Sequence, residues 1–442
     1  MTEKPIITRV FTSVQQIAAT AWDALLALQA TPTPFMRHAY LAAMQDSGSA
    51  VRDTGWDAHF ITLWDTGPQG EQLVAACPLY LKAHSWGEYV FDMAWARAYH
   101  EHGLAYYPKA VVAVPFTPVP GSRLLAASDA LRVQLVQTVQ DWCAAQQLSS
   151  AHVLFGDAAD HAALQQVGWM ARAGVQFHWQ NRSSPLSVNT DAPPAEAACS
   201  PANRPYADFD DFLVQLQQAK RKKIRQERQR VAQAGVQFQV LAGRQIRAAD
   251  WDFFYRCYAQ TYHEHGNPPY LSRDFFARMA QDLPGHWVLF VAERGGQRMA
   301  CSLIAVSADA TPSPDNRHAE AGAADALAHP ALPAPTAALR GATAYGRYWG
   351  ALERVDCLHF EACYYQPLQW CIQHGLAAFE GGAQGEHKMA RALLPVATAS
   401  YHWLAHPAFA DAVERFLERE GEGMTHYLQE LQAHSPLRHS AG

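Results

Sequence analysis

Two hydrophobic rhythms alternate along the chain. Over 14–30, Ile17, Trp22, Leu25, Leu26 and Leu28 fall at helical spacing, and Thr-Pro-Thr-Pro ends the run. The pattern predicts a second helix at 35–46. A hairpin follows, from HFITLWD (59–65) and EQLVAACPLYLK (71–82) around a Thr-Gly-Pro-Gln-Gly turn. After an aromatic, half-polar segment at 84–99 come strand AVVAVPF (110–116), helix 129–147, strand HVLFG (152–156), helix 158–167 and strand VQFHWQN (175–181). This order describes an α/β layer with a mixed sheet.

Residues 183–205 carry Ser, Pro, Asn, Asp and Ala without periodicity and read as a linker. The theme then repeats. Helix 208–233 leads to strand VQFQVL (236–241), helices 249–262 and 272–281, strands WVLFVAER (287–294) and RMACSLIAVS (298–307), and a region at 342–395. An Ala/Pro-rich stretch at 308–340 reads as a surface insertion between two strands. Each half carries a strand pair across a glycine turn, ending in AACPLYLK or MACSLIAV, and each then has an aromatic, glycine-containing segment. The reading is a tandem duplication: a first domain at 1–190, a linker at 191–205 and a second domain at 206–442. The pentapeptide YHEHG also occurs twice, at 99–103 and 262–266, but at non-equivalent places in the two halves.

Composition narrows the class. Of 442 residues, 49% are hydrophobic and 17% charged, a core-forming balance. A formal net charge of −6 excludes a generic polyanion binder, so any nucleic-acid site must be local. The eight cysteines form no CxxC pair and read as reduced core residues. The N-terminus has no apolar leader and no run of about 18 apolar residues occurs, so a cytoplasmic protein without a membrane span is expected. His263 and His265 point to opposite sides of a strand, or about 200° apart on a helix, and no further ligand pattern follows; no metal site is expected.

The candidate chemistry lies mainly in LHFEACYYQPLQWCIQHGLAAFEGGAQGEHK, between Leu358 and Lys388. It reads as a strand, a turn, an amphipathic helix, a second strand and a glycine-rich turn. In GGAQGEHKMAR (381–391), Gly382, Gln384 and Gly385 would let backbone N–H groups approach an oxyanion or phosphate, with Lys388 beside them. The alternative is an ordinary turn with a solvated lysine. Glu361, read at a strand end in HFEACYY, is a candidate general base; His359 is another, and Glu386 and His387 compete for the role. Tyr364 and Tyr365 could orient a substrate, or simply pack. Arg347 and Trp349 in YGRYWG read as cleft wall or core support.

The basic run AKRKKIRQERQR (219–230) lies on a helix whose buried stripe is Leu213, Leu216, Ile224 and Val231. Lys220, on the stripe side, could face a cleft, and Arg221 leads the exposed cations; together they could meet pyrophosphate or RNA, or form a solvated face. In the first half His84, Glu88 and Arg123, with Asp92 and Arg97 nearby, could line an acceptor site or hold loops.

The runs CPLYLKAHSWGEYVFDMAW, YYPKAVVAVPFTPVPGSRLL, YGRYWGA and LHFEACYY through MARALLP resemble the FemAB-like group of N-acyltransferases in the GNAT superfamily, of the peptidoglycan biosynthesis or recognition type. The resemblance covers about 8–185 and 206–420. It implies two GNAT-like α/β domains, each a mixed, mostly antiparallel sheet flanked by helices, and acyl or aminoacyl transfer to an amine. Lys388 matches best the functional lysine that relatives carry after a similar strand and glycine turn, and a comparable basic helix opens their second domain. The chain departs from the Q/R-x-x-G-x-G/A loop of acetyl-CoA-using members. The co-substrate expected is an acyl donor, acyl-CoA or aminoacyl-tRNA, with no tightly bound cofactor, and the acceptor a small-molecule or peptide amine. The rival expectation is a binding module of degenerate transferase fold that recognises a cell-wall precursor or RNA without chemistry.

Overall fold

The structure is a computed structural model and describes residues 6–67, 70–182, 204–311, 337–382 and 385–438. The expected linker at 191–205, apart from its last two residues, and residues 312–336 of the insertion expected at 308–340 lie outside these residues, as does Gln384. Contacts divide the chain into two compact units. Unit 1 comprises Met1–Val175, Tyr270–Met279 and Ala397–Glu430; unit 2 comprises Gln176–Pro269, Ala280–Val396 and Leu431–Gly442.

In unit 1, strand β1 (Ile6–Phe11) precedes helices α1 (Ala19–Ala27) and α2 (His38–Asp46), and β2 (Trp56–Asp65) and β3 (Gln72–Lys82) form the expected hairpin. Helix α3 (Met93–Glu101), β4 (Lys109–Val112), β5 (Leu125–Ala126), α4 (Asp129–Ala145), β6 (Ser150–Leu154) and α5 (Ala158–Val167) follow. The strand order is β1-β2-β3-β4-β6, continued by residues 400–404 of a late strand, and every pairing is antiparallel except β4 with β6. Leu63, Cys77, Leu79, Leu135, Val139 and Leu164 bury one face of this sheet against α4 and α5.

Strand β7 (Met170–Gln180) passes from unit 1 into unit 2 at Val175. Unit 2 then holds α6 (Phe209–Val214), α7 (Gln218–Gln233), β8 (Val236–Ala242) and α8 (Ala248–Glu264). Helix α9 (Arg273–Asp282) is counted mostly in unit 1. Strands β9 (Trp287–Arg294), β10 (Gln297–Val306), β11 (Thr343–Ala351) and β12 (Ala378–Glu380) complete the sheet, in the order β8-β9-β10-β11-β12-β7. Again one pair, β11 with β12, is parallel. The two orders match strand for strand, with the parallel pair between the fourth and fifth strands in each. β3 and β10, which carry AACPLYLK and MACSLIAV, hold the same third place. The expected fold class, two α/β units each with a mixed, mostly antiparallel sheet and flanking helices, is what the chain adopts.

Two expected elements differ. The helix expected over 208–233 is broken at 215–217 into α6 and α7. The strand end expected at 359–365, with Tyr364 and Tyr365 opening the next helix, is helical throughout: α10 (Leu358–Phe360) runs into a wide π turn at Glu361–Tyr365 and then α11 (Gln366–His374). The aromatic richness of His-Phe-Glu-Ala-Cys-Tyr-Tyr suits a strand, but packing decides. Pro367 has no N–H to give the preceding turn, and the Ser302 hydroxyl of β10 donates to the Ala362 carbonyl inside the π turn. The remaining helix, α12 (Pro407–Ala433), follows strand β13 (Leu394–Leu404).

Candidate functional site

β11 and β12 run side by side only from Thr343 to Tyr345, against Ala378 to Glu380. Beyond that point β12 ends and β11 continues to Ala351, so the sheet forks. On its other edge β11 passes from Gly346 opposite Ile304 to Tyr348 opposite Leu303, making Arg347 the extra residue of a β-bulge at the mouth of the fork. Gly346 suits this place: a Cβ there would lie 3.1 Å from the Phe379 ring.

A cavity of about 230 Å³ occupies the fork, walled by Gly346 to Trp349, by Phe379 and Gly381, and by His359, Cys363 and Tyr364 from the helical segment. Lys388 and His387 close it. The glycine turn opens at Gly382 (φ 84°) and Gly385 (φ 110°), values that favour glycine, before a 3-10 helix over Glu386–Arg391. A Cβ at Gly381 would meet the Leu393 side chain at 2.3 Å and Lys388 Cδ at 3.3 Å, so the bare backbone lets the lysine fold inward.

Lys388 is 5% exposed. Its Nζ donates to the Gly382 carbonyl at 3.0 Å, the only acceptor it meets among the described residues, leaving two N–H bonds unused. Burial pushes its pKa down to about 8, partly opposed by Cys363. It is therefore mostly protonated at neutral pH. His359 is pushed down to about 4, by burial first and then by His387, Arg391 and Lys388, so it is neutral at the same pH. His178 behaves alike, held at about 4 by burial and by Lys388. The Tyr364 hydroxyl and His387 Nε2 are 3.1 Å apart. The site thus pairs one buried ammonium with a neutral imidazole.

Lys388, His387, Tyr364, Arg347, Trp349 and His359 come together at this cavity. Glu361 and Tyr365 do not line it. The Glu361 carboxylate accepts from Arg228 Nε at 3.2 Å and from Gln366 at 2.7 Å, and the Tyr365 hydroxyl donates to Glu227. Lys220 and Arg221 are half-buried on α7 and line none of this cavity. In unit 1, Glu88 is buried in an ion pair with Lys109 at 2.8 Å, Arg123 donates to the Gly121 and Val119 carbonyls, and His84 packs over Gly55.

Four residues escaped the sequence reading. Glu227 accepts from Arg391 Nη2 at 3.0 Å and joins α7 to the 3-10 helix, while Arg391 stacks 3.6 Å from the Phe360 ring centre. Glu227 is the lone acid of a basic helix, three residues after Ile224 and four before Val231. That places it on the buried stripe, a signal the sequence did carry. Cys363 and Ser302 line the cavity without any motif to mark them. Among the described residues no cluster of three metal-binding side chains occurs, and no helix is long and apolar enough to cross a membrane.

The family model of the FemAB-like proteins, described as peptidoglycan biosynthesis/recognition, matches residues 13–185, 196–311 and 334–439. No curated protein matches the chain. Among solved structures, L-PGS from Bacillus licheniformis aligns at 9% identity over 90% of this chain and 96% of its own, with a TM-score of 0.43. A tandem GNAT protein from the clavulanic acid biosynthesis pathway aligns at 11% identity, 91% and 99% coverage and TM-score 0.42. A conserved protein of unknown function from Bacteroides thetaiotaomicron gives 8% identity, 90% and 99% coverage and TM-score 0.45.

Proposed function

The chain belongs to the FemAB-like family, and on that premise we propose that it is an N-acyltransferase or aminoacyltransferase, acting in peptidoglycan precursor metabolism, with the unit 2 fork as its catalytic cleft. The carrying observation is the buried Lys388 ammonium facing a cavity, with two of its N–H bonds meeting no acceptor among the described residues.

The acceptor's neutral amine attacks the carbonyl carbon of the activated acyl group. The C–N bond forms, and the carbonyl electrons move to oxygen. Lys388 donates to that oxygen, and the cost of holding the charge in a water-poor site has been met in folding. His359, neutral at working pH, takes the proton from the attacking nitrogen. The bond to the donor's sulfur or oxygen breaks, the carbonyl re-forms, and the leaving group takes up a proton. Tyr364 and His387 wall the cavity and hold the acyl group in line. No covalent enzyme intermediate is needed. An acyl-CoA or an aminoacyl-tRNA would serve as donor, the latter favoured by the absent pyrophosphate loop.

The test is product formation by mass spectrometry, with amine-bearing muramyl peptides as acceptors and each donor class in turn. Transfer that disappears in Lys388→Ala, with unchanged circular dichroism, supports the reading. Binding of donor and acceptor with no product from either donor class overturns it in favour of a recognition module.

A further inference from the structure

A second cavity, of about 320 Å³, opens on the same strand. Its walls are Tyr258 and Tyr262 from α8, Asn267 beyond that helix, and Arg347, Tyr348 and Trp349 from β11. The last three also line the fork cavity, so the two spaces share one wall. Helix α8 is pressed onto that wall: a Cβ at Gly350 would fall 2.0 Å from the Cys257 carbonyl oxygen, and the Thr261 hydroxyl donates to the Trp349 carbonyl at 3.0 Å. The aromatic rings are fixed by each other, Tyr258 to Tyr262 at 4.8 Å and Tyr258 to Tyr348 at 5.4 Å between ring centres.

Charge separates this cavity from a third one of about 540 Å³ that also touches Trp349 and is lined, among the described residues, by Glu264, Glu353 and Asp356 with a single cation, Arg354. Among the described residues the second cavity has no carboxylate in its lining, and the fixed charge there is the Arg347 guanidinium, 5.0 Å over the Tyr348 ring with Nη2 3.3 Å from the Tyr348 hydroxyl. A guanidinium on an aromatic platform suits a planar carboxylate, and flat rings beside it suit the apolar faces of a sugar or peptide.

We propose that this second cavity is the acceptor subsite, that it takes a carboxylate-bearing arm of a peptide, and that Arg347 is the residue that selects it. The proposal rests on the transferase reading of the adjoining cavity. The bulge makes the arrangement work: by adding one residue to β11 it sets Arg347 at the boundary, so an acceptor held by its carboxylate in one space presents its amine to Lys388 and His359 in the other. The acidic third cavity would repel the same arm.

The experiment is calorimetric titration of the full chain with an N-acetylmuramyl peptide bearing free carboxylates, and with the same peptide amidated at every carboxyl. The free acid should bind about tenfold or more tightly than the amide. Arg347→Gln should erase that difference, and Arg347→Lys should restore little of it. Tyr262→Ala should weaken both ligands alike. Equal affinity for the two peptides, no effect of Arg347→Gln, or no binding of either peptide overturns the subsite. If the peptide binds as stated but its amine-bearing form is not acylated from either donor class, the transferase reading fails and the subsite stands. If another amine is acylated while the peptide does not bind, the subsite fails alone.

Discussion

The two units place a parallel strand pair at the same point of the same sheet order, yet one fork is filled and the other is open. In unit 1, β4 leads into Ala113, Val114 and Phe116, all buried, and Phe155 beyond β6 packs with Val111, Ala113 and Leu154. β6 passes directly into α5 through Gly156 and Asp157, and the Asp157 carboxylate accepts from the Ala159 and Asp160 N–H groups, each at 3.0 Å. The helix N-terminus that could receive an anion is taken by the protein's own acid. In unit 2, β12 is followed by glycines, a cavity remains among the described residues of the fork, and a lysine folds in. A shared topology thus supports a packed core in one unit and an open cavity in the other, and only a few residues beyond the parallel pair decide which.

The buried lysines sharpen this contrast. Lys109 is fully enclosed and donates to Ser85, Glu88 and Asp92. Burial, the largest influence, pushes the Asp92 carboxyl up, but Lys109, His152 and Ser85 together outweigh it and hold the group well below the usual range; Glu88, where burial prevails, sits at about 7. Lys109→Met leaves these acids without their cation and should cost about 3–5 kcal/mol in denaturant unfolding. Lys388 has one carbonyl partner among the described residues, so Lys388→Met should change unfolding by less than about 1–2 kcal/mol while transfer falls about 100- to 1000-fold. Equal stability losses in the two variants would erase the distinction between a saturated charge cluster and a poised one.

Much of this was readable beforehand, for particular reasons. The β2–β3 and β9–β10 hairpins announce themselves because strands buried on both faces read as near-continuous hydrophobic runs and a turn separates them. The Lys388 turn was visible because positive φ at Gly382 and Gly385 demands glycine. The helical nature of Glu361–Tyr365 was not, since a π turn breaks the 3.6-residue period that would reveal it. Nor could the sequence show that Arg347 is a bulge residue, because register is set by the partner strand. The second cavity depends on the approach of α8 to Gly350, a contact between segments nearly a hundred residues apart.

That approach is itself testable. Gly350→Ala drives a methyl into the Cys257 carbonyl and should cost about 1–3 kcal/mol, as overpacking does, with acceptor binding reduced more than donor binding. Gly346→Ala, whose Cβ would meet the Phe379 ring at 3.1 Å, should do the reverse and narrow the fork cavity. Calorimetry with each substrate alone separates the two.

The charge of Lys388 gives a smaller, pH-dependent signal. Its folded pKa of about 8 lies below the value of 10.5 for a free lysine. Below about pH 8 both folded and unfolded chains carry the charge, so its burial cost is present in full; it fades as pH rises toward 10.5, and stability should rise across that window. Transfer should move the opposite way, falling about tenfold per unit above pH 8 as the ammonium is lost. Lys388→Arg should shift that descending limb upward in the pH–rate profile.

The smallest effect is expected at Glu361, and it discriminates between bases. Its carboxylate is engaged by Arg228 and Gln366 and does not line the fork cavity. Glu361→Gln keeps an oxygen that can accept from Arg228, so the loss is the charge of one partly exposed pair, about 1 kcal/mol in unfolding. Transfer per folded molecule should stay within about threefold. His359→Ala should instead lower it about 100-fold or more, the usual contribution of a proton acceptor in the transition state. A comparable loss in Glu361→Gln would put the base on the α7 side of the helical segment and move the reacting centre out of the fork.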